Sequence, residues 1–466
     1  MKKIYIQGIV YLLLLASVLF LPHKPAYIQD ITKNIPSTDF TITTEWYQFL
    51  IEPFTGIPDY FLSFRQAQKQ ALSWLFWLFI FSIFFSIILK KERNIVKILS
   101  QYYSFLIWFF ITITFVLFFP LPKYYISQNN QNFILVDFHS HTFFSHDGIV
   151  TPEESQKWHR IHKFDAFYIT DHDRNFYRRI QKKLANHLIR PIMLPGEELS
   201  DTTGSHYLAL GLERSIFDQK NRNITFFSSK IHKKNGVILA AHWWQEKAIP
   251  LASLLKSSID GFEIFGHEKK YIDNETLSIL MSFCRDNKLA AIAGTNWHGW
   301  GTRNDLWTYI AVDKNIKKTK SKYLNKFIVE TLSSPDSSKI SGVLTITNNQ
   351  TYSHSRIFFE PFYGLYYYIT GQTTLQRIFF VFWVILLTLL VSIFLKNKEL
   401  KRHTYIIFAI LFFTLFLSFF FKWLHVSSLN KTLLALSGFY LLLSAMLVGK
   451  SYFLSLRKSP KSTSSQ

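Results

Sequence analysis

Six apolar runs constrain this chain before anything else does. They lie near 4–22, 73–89, 103–122, 377–395, 404–423 and 432–449, rich in Phe, Leu and Ile on every face and nearly free of charge. A helix needs about 20 such residues to cross a bilayer, and one that is apolar all round has no face to offer water. Six transmembrane spans are expected, three before and three after a polar central segment. The composition suits that reading, with 48% hydrophobic residues and 47 Phe. The first run follows "MKK" and shows no small-x-small cleavage site, so an uncleaved anchor is expected rather than a removed signal peptide.

The net charge of +21 could mark a nucleic-acid binder, but the excess sits beside the apolar runs. Lys2 and Lys3 precede the first. Lys90, Lys91, Arg93 and Lys97 join the second to the third. Lys396, Lys398, Lys401 and Arg402 join the fourth to the fifth. Lys450, Arg457, Lys458 and Lys461 follow the sixth. With six spans all four clusters fall on one side, and basic loops stay in the cytoplasm. Both termini are therefore expected in the cytoplasm, with 124–376 on the opposite side of the cell membrane. Membrane lipid is an expected partner and nucleic acid is not. The single cysteine, Cys284, excludes an internal disulfide and a Cys-rich zinc site.

Between the spans, 130–335 alternates short apolar strands with amphipathic helices. The clearest helix starts at "TPEE", where Thr151 caps, Pro152 opens and Glu154 closes a capping box. Such alternation predicts an α/β domain on a parallel sheet, open or closed as a barrel. The expected divisions are an anchor at 1–22, an extracytoplasmic segment at 23–72, a membrane hairpin at 73–122 and the α/β domain at 124–340. A second extracytoplasmic segment at 341–376, three spans at 377–449 and a basic tail at 450–466 follow. The two extracytoplasmic segments carry a repeat, "LIEPFTGIPDYFL" (50–62) and "FFEPFYGLYYYIT" (358–370). A "TIT" string lies upstream of each, at 41–43 and 345–347.

Five strings in the α/β segment gather the chemistry: "FHSHTFFSHDG", "ITDHD", "LPGEELSDTTGSHYLALG", "AAHWW" and "GTNWHGW". They place His139, His141, His146, Asp147, His172, Glu198, His206, His242, Asn296 and His298 at predicted strand ends, with Glu197 beside Glu198. Imidazole and carboxylate are the ligands of divalent transition metals, so a multinuclear metal site is expected. Glu263 ends another strand and reads equally as support for the ligands or as structure. His159 and His162 in "KWHRIHK" are expected on a solvated helix face. Arg303 follows the last string, as a candidate to grip phosphate or as a surface arginine.

The ordered strings resemble the polymerase-and-histidinol-phosphatase (PHP) superfamily over roughly 133–300. The resemblance implies a distorted (β/α)7 barrel and two or three divalent ions (Zn, Mn or Fe). It implies a phosphoesterase that uses a metal-activated water. It also implies three ligand groups: His139, His141, Glu198 and Asn296; Glu198, His206 and His242; and His172, His298 with Asp147 or His146. The family closes with Asp-x-His where this chain has Asn296-Trp297-His298. An amide there brings no charge, which keeps open a second reading as a catalytically impaired metal-binding or sensor protein. On the topology above, the substrate expected is a phosphate ester of the envelope, lipid- or glycan-linked.

Overall fold

The computed structural model describes residues 16–64, 66–89, 91, 93–129, 132–183, 190–246, 249–266, 272–313, 316, 319–333, 340–347, 353–426 and 430–456. The run at 4–22, apart from its last residues, and the tail from 457 lie outside the described residues.

The strands are β1 (Tyr27–Asp30), β2 (Ile35–Pro36), β3 (Phe40–Thr43), β4 (Tyr125–Gln128), β5 (Phe133–Asp137), β6 (Ala166–Ile169), β7 (Ile192–Ser200), β8 (His206–Leu210), β9 (Val237–Ala240), β10 (Gly261–Gly266), β11 (Ala290–Gly294), β12 (Leu306–Ala311) and β13 (Ile340–Thr347). Eleven form one sheet in the order β11-β10-β9-β8-β7-β6-β5-β12-β13-β1-β2. Strands β5 to β7 and β9 to β11 run parallel. Every residue of β6 and β9 is buried, as expected for strands covered on both faces.

The expectation of a parallel sheet fails at β8, which is antiparallel to both β7 and β9. Only Asp201 to Ser205 separate β7 from β8, too few for a crossover, and Gly204 supplies the left-handed turn residue at φ +86°. The sheet also curls. The Thr308 hydroxyl of β12 donates to Ala293 O and accepts from Ala293 N–H of β11. Two segments set apart in the sequence, 23–72 and 341–376, supply β1 and part of β13 to this same sheet.

Among the described residues, five helices are long and apolar enough to cross a membrane. In chain order with the others used below, the helices are α1 (Glu52–Leu62), α2 (Ala67–Ile83), α3 (Ile95–Phe118), α4 (Pro152–Ile161), α5 (Tyr177–Lys183), α6 (Glu360–Thr370), α7 (Thr374–Lys396), α8 (Lys398–Val426) and α9 (Lys431–Leu456). The apolar five are α2, which continues to Ile88, then α3, α7, α8 and α9. At one end of this bundle Lys450 of α9 donates to Ser104 Oγ of α3 at 3.0 Å and lies over the Tyr405 ring of α8. The basic ends of three helices therefore meet. At the other end the bundle meets the α/β domain: Lys422 of α8 bonds Glu154 at 2.8 Å.

Both E-P-F-x-G strings fill eleven-residue helices, α1 and α6, each with Pro in its first turn. The "TIT" strings are not equivalent. The first pairs β3 with β4 in a separate two-stranded sheet, and the second lies in β13 of the large one.

Candidate metal centre

The site forms where β5, β6, β7, β8, β9 and β11 end or begin. Successive residues of an extended chain face opposite ways. His139 and His141, just past β5, therefore share one face, while Ser140 turns back to donate to Tyr168 O at 2.7 Å. The same alternation separates Glu197 from Glu198 on β7. Glu197 points away, accepts from Ser215 Oγ and Ile216 N–H, and is pushed up to about 7 by burial.

Glu198 is the hub. Its Oε2 lies 3.1 Å from Nε2 of both His139 and His141, and 3.4 Å from His172 Nε2. Its Oε1 lies 3.0 Å from His206 and from His242. The Nε2 atoms of His139 and His141 are only 3.0 Å apart. Asp147 forms a second focus, with Oδ2 at 3.0 Å from His298 Nε2 and 3.4 Å from His172 Nε2. Ligand atoms within 4.8 Å of one another fall into three groups: His141, Asp147, His172 and His298; His139, Glu198 and His242; His172, Glu198 and His206.

Eight of the sequence candidates thus come together, in groups that differ from those the resemblance implies. His141 also joins the Asp147 group. His146 has a 61% exposed side chain and lies 3.9 Å from Asp147, so the carboxylate, not the imidazole, takes the place beside His172 and His298. Asn296 enters through its backbone: its N–H donates to His139 O and its carbonyl faces His298 Nδ1, both at 2.7 Å. Arg303 is committed elsewhere, to the Asp305 carboxylate and, at 2.9 Å, to Asp59 O of α1.

The electrostatics show what holds this many imidazoles in one place. Burial opposes charge on His139, yet Glu198 and Glu263 hold its pKa well above the ordinary value. Burial, with His298 alongside, pushes His141 down to about 3. Glu198 and Asp147 are held well below the carboxylate range, against burial, by the histidines around them. One buried carboxylate offers about four lone-pair positions, and five imidazoles crowd Glu198. Such a donor set fits divalent cations, which accept neutral imidazole and carboxylate together.

Supporting residues complete the site. Glu263 faces His139 Nδ1 at 3.4 Å and accepts from the His242 N–H at 2.9 Å. A carboxylate behind a ligating histidine fixes its ring and its tautomer. Asp137, buried at the end of β5, accepts from the N–H groups of His139 and Thr295. Its other oxygen lies 2.8 Å from His159 Nε2. His159 is fully buried and stacks on Phe167 at 4.0 Å, and His162 is buried as well. The expectation of a solvated face for these two is wrong, because α4 turns them inward onto the strand that carries the ligands. Gly294 lets β11 approach: a Cβ there would collide with His139.

No family model matches the chain, and no curated protein matches it. Several solved structures do at low likeness. One is a two-domain protein from Bacteroides vulgatus containing a predicted PHP-like metal-dependent phosphoesterase, at 17% identity and TM-score 0.32, over 49% of this chain and 69% of that one. PsfC from Pseudomonas syringae matches at 13% identity and TM-score 0.33, over 52% of this chain and all of its own. An amidohydrolase from Chromobacterium violaceum matches at 12% and 0.30, over 42% and 96%. At these scores the function has to be read from the site's own residues.

Proposed function

We propose that the chain is a membrane-anchored, divalent-metal-dependent phosphoesterase acting on an envelope phosphate ester. The observation that carries this reading is Glu198, one buried carboxylate within 3.4 Å of five histidines. His139, His141, His242 and His206 would hold ions about Glu198, and His172, His298 and Asp147 another. Bound there, two or three ions (Zn, Mn or Fe) supply Lewis acidity, which neutralises ester oxygens and acidifies a water. The protein's part is positional. Glu263 and Asp137 fix His139, the alternation on β7 aims Glu198 inward, and the His298–Asp147 contact holds the second focus. The curl of the sheet supports a PHP-type distorted (β/α)7 barrel. The basic ends of α3, α8 and α9, gathered at the far end of the bundle, support an extracytoplasmic domain on six spans. Nucleic acid has no place in this reading.

Full-length protein in detergent, loaded with Mn or Zn, should hydrolyse p-nitrophenyl phosphate or its bis-ester. It should lose that activity on chelation and in Glu198→Gln. A second reading, a catalytically impaired sensor, is favoured by one contact: Asn430 at the start of α9 bonds the Asp147 loop directly. Metal bound in full with no hydrolysis of either ester decides for the sensor.

A further inference from the structure

A cavity of about 480 Å3 opens beside the metal centre. His146 and His172 line it on the site side, and Val426 and Asn430, where α8 ends and α9 begins, line it on the membrane side. Arg174 and Arg222 also face it. Arg222 is partly used, by the Ser200 carbonyl at 3.0 Å, and Asp173 is used by the Ser200 N–H at 2.8 Å. The cavity wall therefore carries cationic groups next to the metal ligands.

A second cavity, of about 520 Å3, shares Phe144 with the first. It runs between α4, α5 and one face of α8, made by Ser418, Phe421, Lys422 and His425. Those four residues recur at helical spacing and span about 10 Å along the axis. They occupy the last two turns of a helix apolar enough to span, where aromatic and basic side chains mark the bilayer interface. Phe421 is 61% exposed. Cationic groups thus lie at the metal end, and the second cavity sets an apolar wall of Phe143, Phe144, Ile180 and Phe421 beside a polar one of Glu153, Arg179 and Lys422.

We propose, building on the phosphoesterase reading, that the substrate is a phosphate ester of a membrane lipid. Its phosphate enters past Arg174 to His172, and its hydrocarbon chain lies in the groove between Phe144 and Phe421. A water-soluble ester would leave the apolar wall of that groove empty. A lipid ester in the bilayer would meet that groove along α8, whose last turns form one wall of it. Hydrolysis adds water across the P–O bond: its oxygen goes to phosphorus, and a proton goes to the lipid alcohol oxygen that leaves.

The test uses the full-length, metal-loaded protein in detergent micelles with dioleoyl phosphatidic acid and its soluble head, glycerol 3-phosphate. The lipid should be hydrolysed with at least tenfold higher kcat/KM. It should also raise the Tm at a concentration where glycerol 3-phosphate does not, a readout independent of turnover. Ser418→Trp, which fills the groove, should cut the lipid-to-soluble ratio at least tenfold and abolish the Tm shift. Phe421→Ala should lower both in the same direction if the Trp variant does not fold. Equal rates on the two esters, or a preference for the soluble one, overturn the lipid assignment and leave the phosphoesterase standing. Hydrolysis of neither, with p-nitrophenyl phosphate or its bis-ester still turned over, overturns the lipid assignment alone; hydrolysis of none of these esters, with metal bound, overturns both.

Discussion

Tyr60 and Tyr368 hold the same place in the two copies of E-P-F-x-G-x-x-x-Y, and their rings meet with centroids 6.5 Å apart. The relation is reciprocal. Tyr60 donates to Glu360 Oε1 at 3.1 Å and packs on Gly364. Tyr368 packs on Gly56, beside Glu52. Each glycine makes room for the other repeat's tyrosine, so α1 and α6 form a pseudo-twofold clamp between the two groups of spans. Glu52 also accepts from Gln372 at 3.1 Å and Gln376 at 2.8 Å, at the head of α7.

Gly364→Ala should therefore cost stability, because a Cβ there collides with the Tyr60 hydroxyl. Overpacking of this kind costs about 1–3 kcal/mol. Gly438→Ala in α9 is the control, since a Cβ there meets nothing within 4 Å. Thermal unfolding in detergent should show a clear fall in Tm for the first and little change for the second. Equal Tm values would mean the clamp is not packed as described.

Glu52 gives the clamp a pH dependence. Burial raises its carboxyl from 4.5 to about 7, with Asp59 adding to the rise and Lys123 and the Gln376 hydrogen bond opposing it. The folded chain thus binds this proton more tightly than the unfolded chain. The associated stability is full below about pH 4.5 and is lost as pH rises through about 7, on the order of 3 kcal/mol in all. Tm should fall between pH 5 and pH 8, and Glu52→Gln should flatten that slope. A Tm that rises over the same range would reverse the sign of the argument.

The strand ends and most of the ligand cluster were legible because chemistry there is local. The strings single out His139, His141 and Glu198, whereas "SHDG" leaves His146 and Asp147 open until the fold sets Asp147 against His172 and His298. What the sequence hid is long-range. His159 sits on an amphipathic helix with polar neighbours, and only the fold brings Asp137 to it. Arg303 reads as a free cation until α1, 244 residues away, supplies Asp59. The antiparallel β8 was readable from its five-residue connection, but the alternation of strands and helices around it outweighed that signal. Asn430 carries no local sign of its role, since its partners lie about 285 residues upstream.

The topology is checked by fusion reporters. A reporter placed after Lys123 should be extracytoplasmic, and reporters after Lys97 or Lys401 cytoplasmic. The first position adjoins the α/β domain, while the others flank the end where Lys450 meets Ser104 and Tyr405. The inverse pattern would move the metal centre into the cytoplasm and bring soluble metabolites into play as substrates.

Asn430 ties the apolar helix bundle to the candidate metal centre. Its buried amide donates to Ser145 O at 2.8 Å and Gly148 O at 2.7 Å, on either side of Asp147. Its Oδ1 accepts from Leu433 N–H at 2.9 Å and so caps α9. Asn430→Ala leaves those carbonyls unpaired, a loss of about 1–3 kcal/mol, and frees the Asp147 loop. The variant should keep the ions held about Glu198 but lose the one held by Asp147, a drop of about one metal per chain by elemental analysis. Unchanged metal content would show that the loop holds its shape without the membrane helix.

The ligand assignment itself makes a graded prediction. Glu198 lies within 3.4 Å of five histidines, so on the proposed assignment Glu198→Gln removes a charge that several ions would share and should strip most of the metal. Asp147→Asn should remove one ion, because Asp147 is the carboxylate of the group it forms with His141, His172 and His298. His146→Ala should remove none, since its side chain is mostly exposed and its nearest approach to Asp147 is 3.9 Å. The three proteins, purified without chelator and analysed for metal per chain, should rank in that order. If His146→Ala loses as much metal as Asp147→Asn, the imidazole is a ligand after all, and the loop must close further onto the site when metal binds.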